Sequence, residues 1–282
     1  MRILITGANG MLGRDVTAEL APRHEVRPFP RAALDIADFA AVRDEVGRVA
    51  PDLIVNCAAY TDVDGCESDP EGAYLGNALG PRHLAVAAAA VGAALLHVST
   101  DYVFPGDAER PYTEFDPVGP ATVYGRSKLA GEVAVRDHCP RHYIVRTAWL
   151  YGEHGHNFVH TIRRLAAEKD RLTVVDDQIG NPTWTADLAR MIGQLIETGA
   201  YGTYHATAVG EVSWHGFATE IVRLSGLSTP VDPVPSERFP RPAPRPAYSA
   251  LDNLCLRQLG IEMLPWREAL EDFFARQRES AG

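Results

Sequence analysis

Gly7, Gly10 and Gly13 come directly after an apolar run, Ile3-Leu4-Ile5, and lead into a helical pattern that starts at about Met11. No other feature narrows the fold as much. Glycines at this spacing between a strand and a helix let the backbone approach a pyrophosphate, whose charge then rests on the helix N-terminus. A glycine triplet alone is weak evidence, and the strand–turn–helix setting at the head of a βαβ pattern is the context the motif requires. The turn, with Met11 and Leu12 between its second and third glycines, is the candidate phosphate cradle of a dinucleotide cofactor.

The rest of the first half supports that setting. Glu25-Val26-Arg27, Leu53-Ile54-Val55, Ala94 to Val98 and Tyr143-Ile144-Val145 read as further strands. Helices begin between them near Met11, near Asp38, at Ser68 or Asp69 with Pro70 in the first turn, and around Tyr124. Short apolar strands that each precede a helix predict a parallel sheet covered on both faces. The expected fold is α/β, a Rossmann-type doubly wound sheet with a smaller C-terminal substrate-binding domain. Residues 1–150 form the dinucleotide-binding domain in this reading. Residues 151–282 mainly bind the substrate, with some segments returning to the first domain. Helices are expected near 157–168, 185–198, 213–225 and 265–277. Seven prolines between Pro230 and Pro246 read by composition as an extended linker, and the arginines among them leave a binding role open.

Composition excludes several classes. A net charge of -10 argues against a nucleic-acid or anionic-membrane surface. The stretch Leu84 to Leu96 is too short and alanine-rich to span a bilayer. The glycine turn follows the first residues too closely for a signal peptide. Four cysteines without a Cys-x-x-Cys pair fit a reduced, cytoplasmic protein.

Tyr124 and Lys128 stand four residues apart, on one face of a helix. An ammonium held near a phenol favours the phenolate, so the pair predicts a Tyr124 pKa below its ordinary value of about 10. Thr100 closes the fourth strand, at the sheet edge where ligands bind in a doubly wound fold, and its hydroxyl is placed to bond a substrate carbonyl oxygen. The second strand is followed by Pro28-Phe29-Pro30-Arg31, without a carboxylate. Arg31 or Arg27 can therefore pair with a ribose 2′-phosphate, which favours NADPH over NADH. Asp35, Ile36, Ala58, Ala59 and Tyr60 are candidate walls for adenine and ribose. His154, His156 and His160 read as loop histidines and Asp176-Asp177 as a turn, so no metal site is assigned.

Together the glycine turn, Val-Asn-Cys-Ala-Ala-Tyr-Thr at 55–61, Ser-Thr-Asp-Tyr-Val-Phe at 99–104 and Tyr-Gly-Arg-Ser-Lys-Leu-Ala-Gly-Glu at 124–132 resemble the dTDP-4-dehydrorhamnose reductase family of extended short-chain dehydrogenases. The likeness continues through 146–151, 177–183 and 245–252. It implies an NADPH-dependent reduction of the C4 carbonyl of a dTDP-4-keto-6-deoxy sugar. Tyr124 would be the proton donor and would also contact the cofactor, and Lys128 would be its partner and a ligand of the nicotinamide ribose. Thr100, Asp101, Trp149 and Gln178 would contact the sugar, and Arg245 the nucleotide or its diphosphate. Some members bind magnesium through glutamates at a dimer interface. Asp187 stands about where such a residue falls, so magnesium and the choice between monomer and homodimer stay open. Two alternatives also stay open: a reductase of another dTDP-4-ketosugar, such as the dihydrostreptose type, and a non-catalytic NADP-binding regulatory subunit.

Overall fold

The structure, a computed structural model, describes residues 1–281. Strands β1 (Arg2–Thr6), β2 (Glu25–Phe29), β3 (Leu53–Asn56), β4 (Ala94–Thr100) and β5 (His142–Thr147) fall where the apolar runs predict them. A sixth strand, Gly202–His205, comes from the second half of the chain and was not anticipated. The sheet order is sixth strand, β5, β4, β3, β1, β2, and every pairing is parallel. Its central strands are buried on both faces, hence the unbroken apolar runs. The edge position of β2 explains how it carries Pro28, which has no N–H to give a second neighbour.

Helix α1 (Met11–Leu20) and the helix Thr185–Thr198 pack together on one face of the sheet. Leu12, Val16 and Leu20 there meet Leu188, Met191, Ile192 and Leu195 over Ile3, Ile5 and Val55. On the other face, α2 (Phe39–Val49) and the helix Gly80–Val91 cover Leu4, Ile54 and Leu95. Asp38 caps α2 by accepting from Ala41 N–H at 3.0 Å. The expected long helix after Pro70 is present and Asp69 is its cap, accepting from Gly72 N–H. It is interrupted by a π-turn over Leu75–Leu79, and a short helix Val63–Ser68 precedes it.

The C-terminal helices Phe158–Glu168, Trp214–Leu224 and Trp266–Ala281 form around a separate apolar cluster that includes Tyr151, Phe217 and Phe273. The proline-rich segment is not simply a linker. Val231–Val234 is a strand paired in parallel with Leu172–Val175, and Arg171 ion-pairs with Asp232 at 2.6 Å. The chain then crosses back over the first half: Ala243 N–H donates to Asp64, and Tyr248 N–H donates to the Gly106 carbonyl at 2.9 Å.

Candidate active site

At the carboxyl edge of the sheet, order reverses about β1, which has β2 on one side and β3 on the other. The crevice this creates is the ligand position of doubly wound folds. Gly7 turns there with φ +67°, and a Cβ on it would lie 2.6 Å from Ala58 N on the turn after β3. At Gly13 a Cβ would come within 2.2 Å of the Gly7 carbonyl oxygen. Larger residues at either point would force the turn apart. Gly10 precedes α1 in extended backbone, with no side-chain cap and no carboxylate in the first helical turn. The N–H groups of that turn thus suit a pyrophosphate. Leu12 is buried in the core, so only its backbone belongs to this cradle, and Met11 packs towards Asn157.

The predicted adenosine residues divide. Arg27 is held by Glu25 at 2.8 Å, whereas Arg31 extends into solvent and ion-pairs with Asp35 at 3.3 Å. Ile36 is a core residue against Gly80 rather than an open wall. Ala58 N–H donates to Asn56, and Ala59 is exposed. Tyr60 is pinned at both backbone groups by Asn77, whose Oδ1 accepts at 2.8 Å and whose Nδ2 donates at 3.0 Å. Asn77 is fully buried in the π-turn and also donates to Ser127 Oγ, which donates in turn to the Tyr124 carbonyl. It therefore ties the β3 turn to the helix that carries Tyr124. A π-turn is not readable from residue type, so nothing in the local sequence singles out Asn77.

Thr100, Asp101, Tyr124 and Lys128 do come together. Thr100 ends β4 opposite Thr147 of β5, and the helix Val123–His138 starts from a Thr122 cap. Tyr124 and Lys128 are both buried. One sequence expectation is reversed: burial pushes the Tyr124 phenol above its ordinary value of 10, with only the Thr100 hydrogen bond acting downward. Lys128 does not act on the phenol, because its Nζ turns away to donate to the Val98 carbonyl at 2.6 Å. Burial lowers Lys128 to about 8, against the raising influence of Glu132 and Cys57. Thr100 Oγ1 donates to Asp101 Oδ1 at 2.9 Å and accepts from Tyr102 N–H at 3.2 Å. Its single proton serves one acceptor at a time, so donation to a substrate oxygen requires release from Asp101. Burial raises Asp101 to about 6, opposed by the nearby Ser249 hydroxyl and the Thr100 hydrogen bond, and neither its Oδ2 nor Ser249 Oγ makes a well-formed hydrogen bond.

Beneath Lys128 lies a second buried charge. Glu132, one further turn along the same face, accepts from Arg146 Nε at 2.9 Å and Nη2 at 2.8 Å, and from Ser99 Oγ at 2.6 Å. Burial is the largest single influence and would raise its carboxyl, but the hydrogen bonds and charge of Arg146, the Ser99 hydrogen bond and the charge of Arg136 together hold it below the ordinary value. The spacing i, i+4 from Lys128 was the signal that could have singled it out. Further under the sheet, Asn56 Nδ2 donates to His97 Nδ1 at 3.0 Å, and burial keeps His97 neutral.

The second half supplies the remaining wall. Arg245 pairs with Asp64 at 2.8 Å beside Tyr102, so the proline-rich segment does reach this edge. Trp149 follows β5 with φ +48° and stacks on Trp214 with ring centroids 3.5 Å apart. Gln178 is half-buried, immediately before the short strand Ile179–Gly180 that touches Trp149. Asp177 accepts from Ser236, and Asp176 from Ser213, consistent with turn residues. Asp187 is buried and committed to Arg190 at 2.6 Å and to Leu264 N–H at 3.0 Å, which leaves it no role as an outward magnesium ligand. Among the described residues no cluster of His, Cys, Asp and Glu could hold a metal ion.

Comparison with known proteins extends over the whole of this arrangement. Residues 1–279 match the RmlD substrate binding domain family. A dTDP-4-dehydrorhamnose reductase of Streptomyces griseus is 51% identical over 282 residues, covering 97% of this chain and 93% of the relative. The crystal structure of a dTDP-4-dehydrorhamnose reductase from Clostridium acetobutylicum superposes with a TM-score of 0.97 at 46% identity, covering 99% of this chain and 100% of that one. That of Bacillus anthracis, in complex with NADP, gives 0.95 at 45% identity and covers 98% and 99%. Because the match runs through the C-terminal wall as well as the nucleotide fold, the protein belongs to the dTDP-4-dehydrorhamnose reductase family.

Proposed function

We propose that the protein reduces the C4 carbonyl of a dTDP-4-keto-6-deoxy sugar with NADPH, converting dTDP-4-dehydro-L-rhamnose to dTDP-L-rhamnose. The observation that carries this reading is the convergence of Thr100, Tyr124 and Lys128 at the sheet edge beside an uncapped glycine turn. Residues 1–150 hold the cofactor and most of 151–282 the sugar nucleotide, with Thr185–Thr198 and Gly202–His205 returning to the first part. The glycine turn, Arg31, the Ala58–Tyr60 turn and Lys128 would hold the dinucleotide, which when bound supplies a hydride to the carbonyl carbon.

This chain's own residues do the rest. Tyr124, protonated at neutral pH as a phenol with a pKa of about 10 or higher must be, gives its proton to the developing alkoxide. Thr100 fixes the oxygen, and Lys128 holds the ribose. Asp101, Trp149 and Gln178 shape the sugar site, and Arg245, exchanging Asp64 for a phosphate, meets the diphosphate. No helix among the described residues is long and apolar enough to cross a membrane, and we place the enzyme in the cytoplasm.

The direct test is oxidation of NADPH by the purified chain with dTDP-4-dehydro-L-rhamnose, the product identified by NMR. Turnover to dTDP-L-rhamnose supports the proposal, and NADPH binding without turnover refutes the substrate assignment. Two further results are expected. Activity measured as kcat/KM, which reports groups of the free enzyme, falls as pH rises through about 8, because Lys128 loses the charge with which it holds the nicotinamide ribose. A flat alkaline limb across that range contradicts the role given to the ammonium. Arg31→Ala raises the Kd for NADPH about ten-fold, the worth of one charge-assisted hydrogen bond, and leaves that for NADH unchanged. Equal effects on both cofactors, read by fluorescence titration, exclude a 2′-phosphate contact.

A further inference from the structure

Trp149 occupies a backbone conformation that bulky residues rarely adopt, with φ +48°. Such strain persists only where the surroundings over-determine it, and it concentrates at ligand sites. Two contacts hold the residue here. Trp214, the first residue of the helix Trp214–Leu224, lies parallel to the Trp149 indole at 3.5 Å and 6°, and is backed by Phe158 at 4.5 Å. Gly180 lies against the same indole, so that a Cβ there would fall 2.6 Å from Trp149 Cε2. The strand containing Gly180 pairs with Val212–Ser213, and Ser213 caps the helix that Trp214 opens, so both contacts belong to one local unit. Ser249 N–H donates to the Ile179 carbonyl at 2.9 Å, joining that unit to the segment whose Ser249 side chain lies near Asp101. Trp149 is two residues past Thr147, the register partner of Thr100. The indole pair therefore stands at the same sheet edge as Thr100 and is braced entirely from the C-terminal half.

We propose that Trp214 is a specificity-determining positioning residue: stacked on Trp149, against which the bare backbone of Gly180 also lies, it fixes the indole that walls the sugar subsite. This rests on the reading above that Trp149 faces the sugar. A 6-deoxyhexose presents a methyl group and ring C–H bonds where other hexoses carry a hydroxymethyl group. A fixed aromatic surface suits that apolar side, whereas a mobile one would discriminate little. The nucleotide and diphosphate are met by other groups, so their binding does not depend on the pair.

Calorimetry with the full-length chain tests this, with dTDP and dTDP-L-rhamnose as ligands. Trp214→Ala is expected to weaken dTDP-L-rhamnose about ten-fold while changing dTDP less than about two-fold, and Trp214→Phe, which still stacks, to restore the sugar nucleotide to within about three-fold of wild type. In turnover, Trp214→Ala should raise KM for the keto sugar with a smaller change in kcat, a split that a merely structural role would not give. If Trp214→Ala does not fold, Gly180→Ala displaces the indole from the other contact and should give the same selective loss. Equal loss of both ligands, or loss of neither, overturns the proposal. A wild-type chain that binds neither ligand removes the substrate reading itself, whereas one that binds both, with variants that do not discriminate, removes only the role of Trp214.

Discussion

Tyr124→Phe is expected to lower kcat by about 10²–10⁴-fold, the usual contribution of a positioned general acid, while the Kd for NADPH changes little. The substitution removes only the hydroxyl. The ring remains packed edge-on against Tyr102 at 5.5 Å, and the helix keeps its Thr122 cap, so the fold has no reason to yield. The cofactor contacts proposed for the glycine turn and Lys128 are untouched. A loss confined to kcat is thus the signature of a proton delivered in the transition state rather than of a displaced ligand. Steady-state kinetics with a parallel NADPH titration decides it, and turnover within a few-fold of wild type would refute the assignment of the acid.

The second large effect is on stability. Glu132→Ala leaves Arg146, whose side chain is only 5% exposed, without its carboxylate partner. Breaking one side of a buried ion pair costs about 3–5 kcal/mol, because the remaining charge stays buried and uncompensated. In a chain of this size that corresponds to a fall in Tm on the order of 10 °C. Replacing both partners by apolar residues of similar volume should recover much of the loss, because desolvation of the pair is then avoided. Thermal melting of the single and double variants checks both statements, and a single variant as stable as the parent would mean that Arg146 finds another way to be satisfied. Where the single variant still folds, its alkaline activity limb should move to lower pH, since Glu132 is the chief influence keeping Lys128 charged.

Much of this was readable from the chain because parallel strands buried on both faces must be short apolar runs, and β1, β3, β4 and β5 are. Thr100, Tyr124 and Lys128 could be placed because a strand end and an i, i+4 spacing are local properties. What escaped depended on contacts between distant parts. The sixth strand, Gly-Thr-Tyr-His, is an edge strand buried at only two of four positions and has no apolar run to announce it. The proline-rich segment hid a strand because Pro233 tolerates the edge of a two-stranded ladder. The spacing of Tyr124 and Lys128 gave the shared helix face correctly, but not that Lys128 would reach past the phenol to Val98. The stack of Trp149 on Trp214, 65 positions apart by subtraction of their numbers, has no trace in either local sequence.

The sixth strand also bears on how the molecule comes to be made. A chain released from the ribosome in order presents β5 as an unfinished edge. The face over Ile3, Ile5 and Val55 stays half bare until Thr185–Thr198 and Gly202–His205 have emerged. The first half of the chain therefore lacks two of its covering elements as it emerges. A nascent chain stalled after β5 would show an open strand and an apolar face to chaperones and to other copies of itself, the state most exposed to aggregation. A stop codon placed at the apparent boundary near residue 150 is therefore expected to yield an insoluble fragment rather than a small nucleotide-binding protein, as the partition of the truncated chain between soluble and pelleted fractions would show.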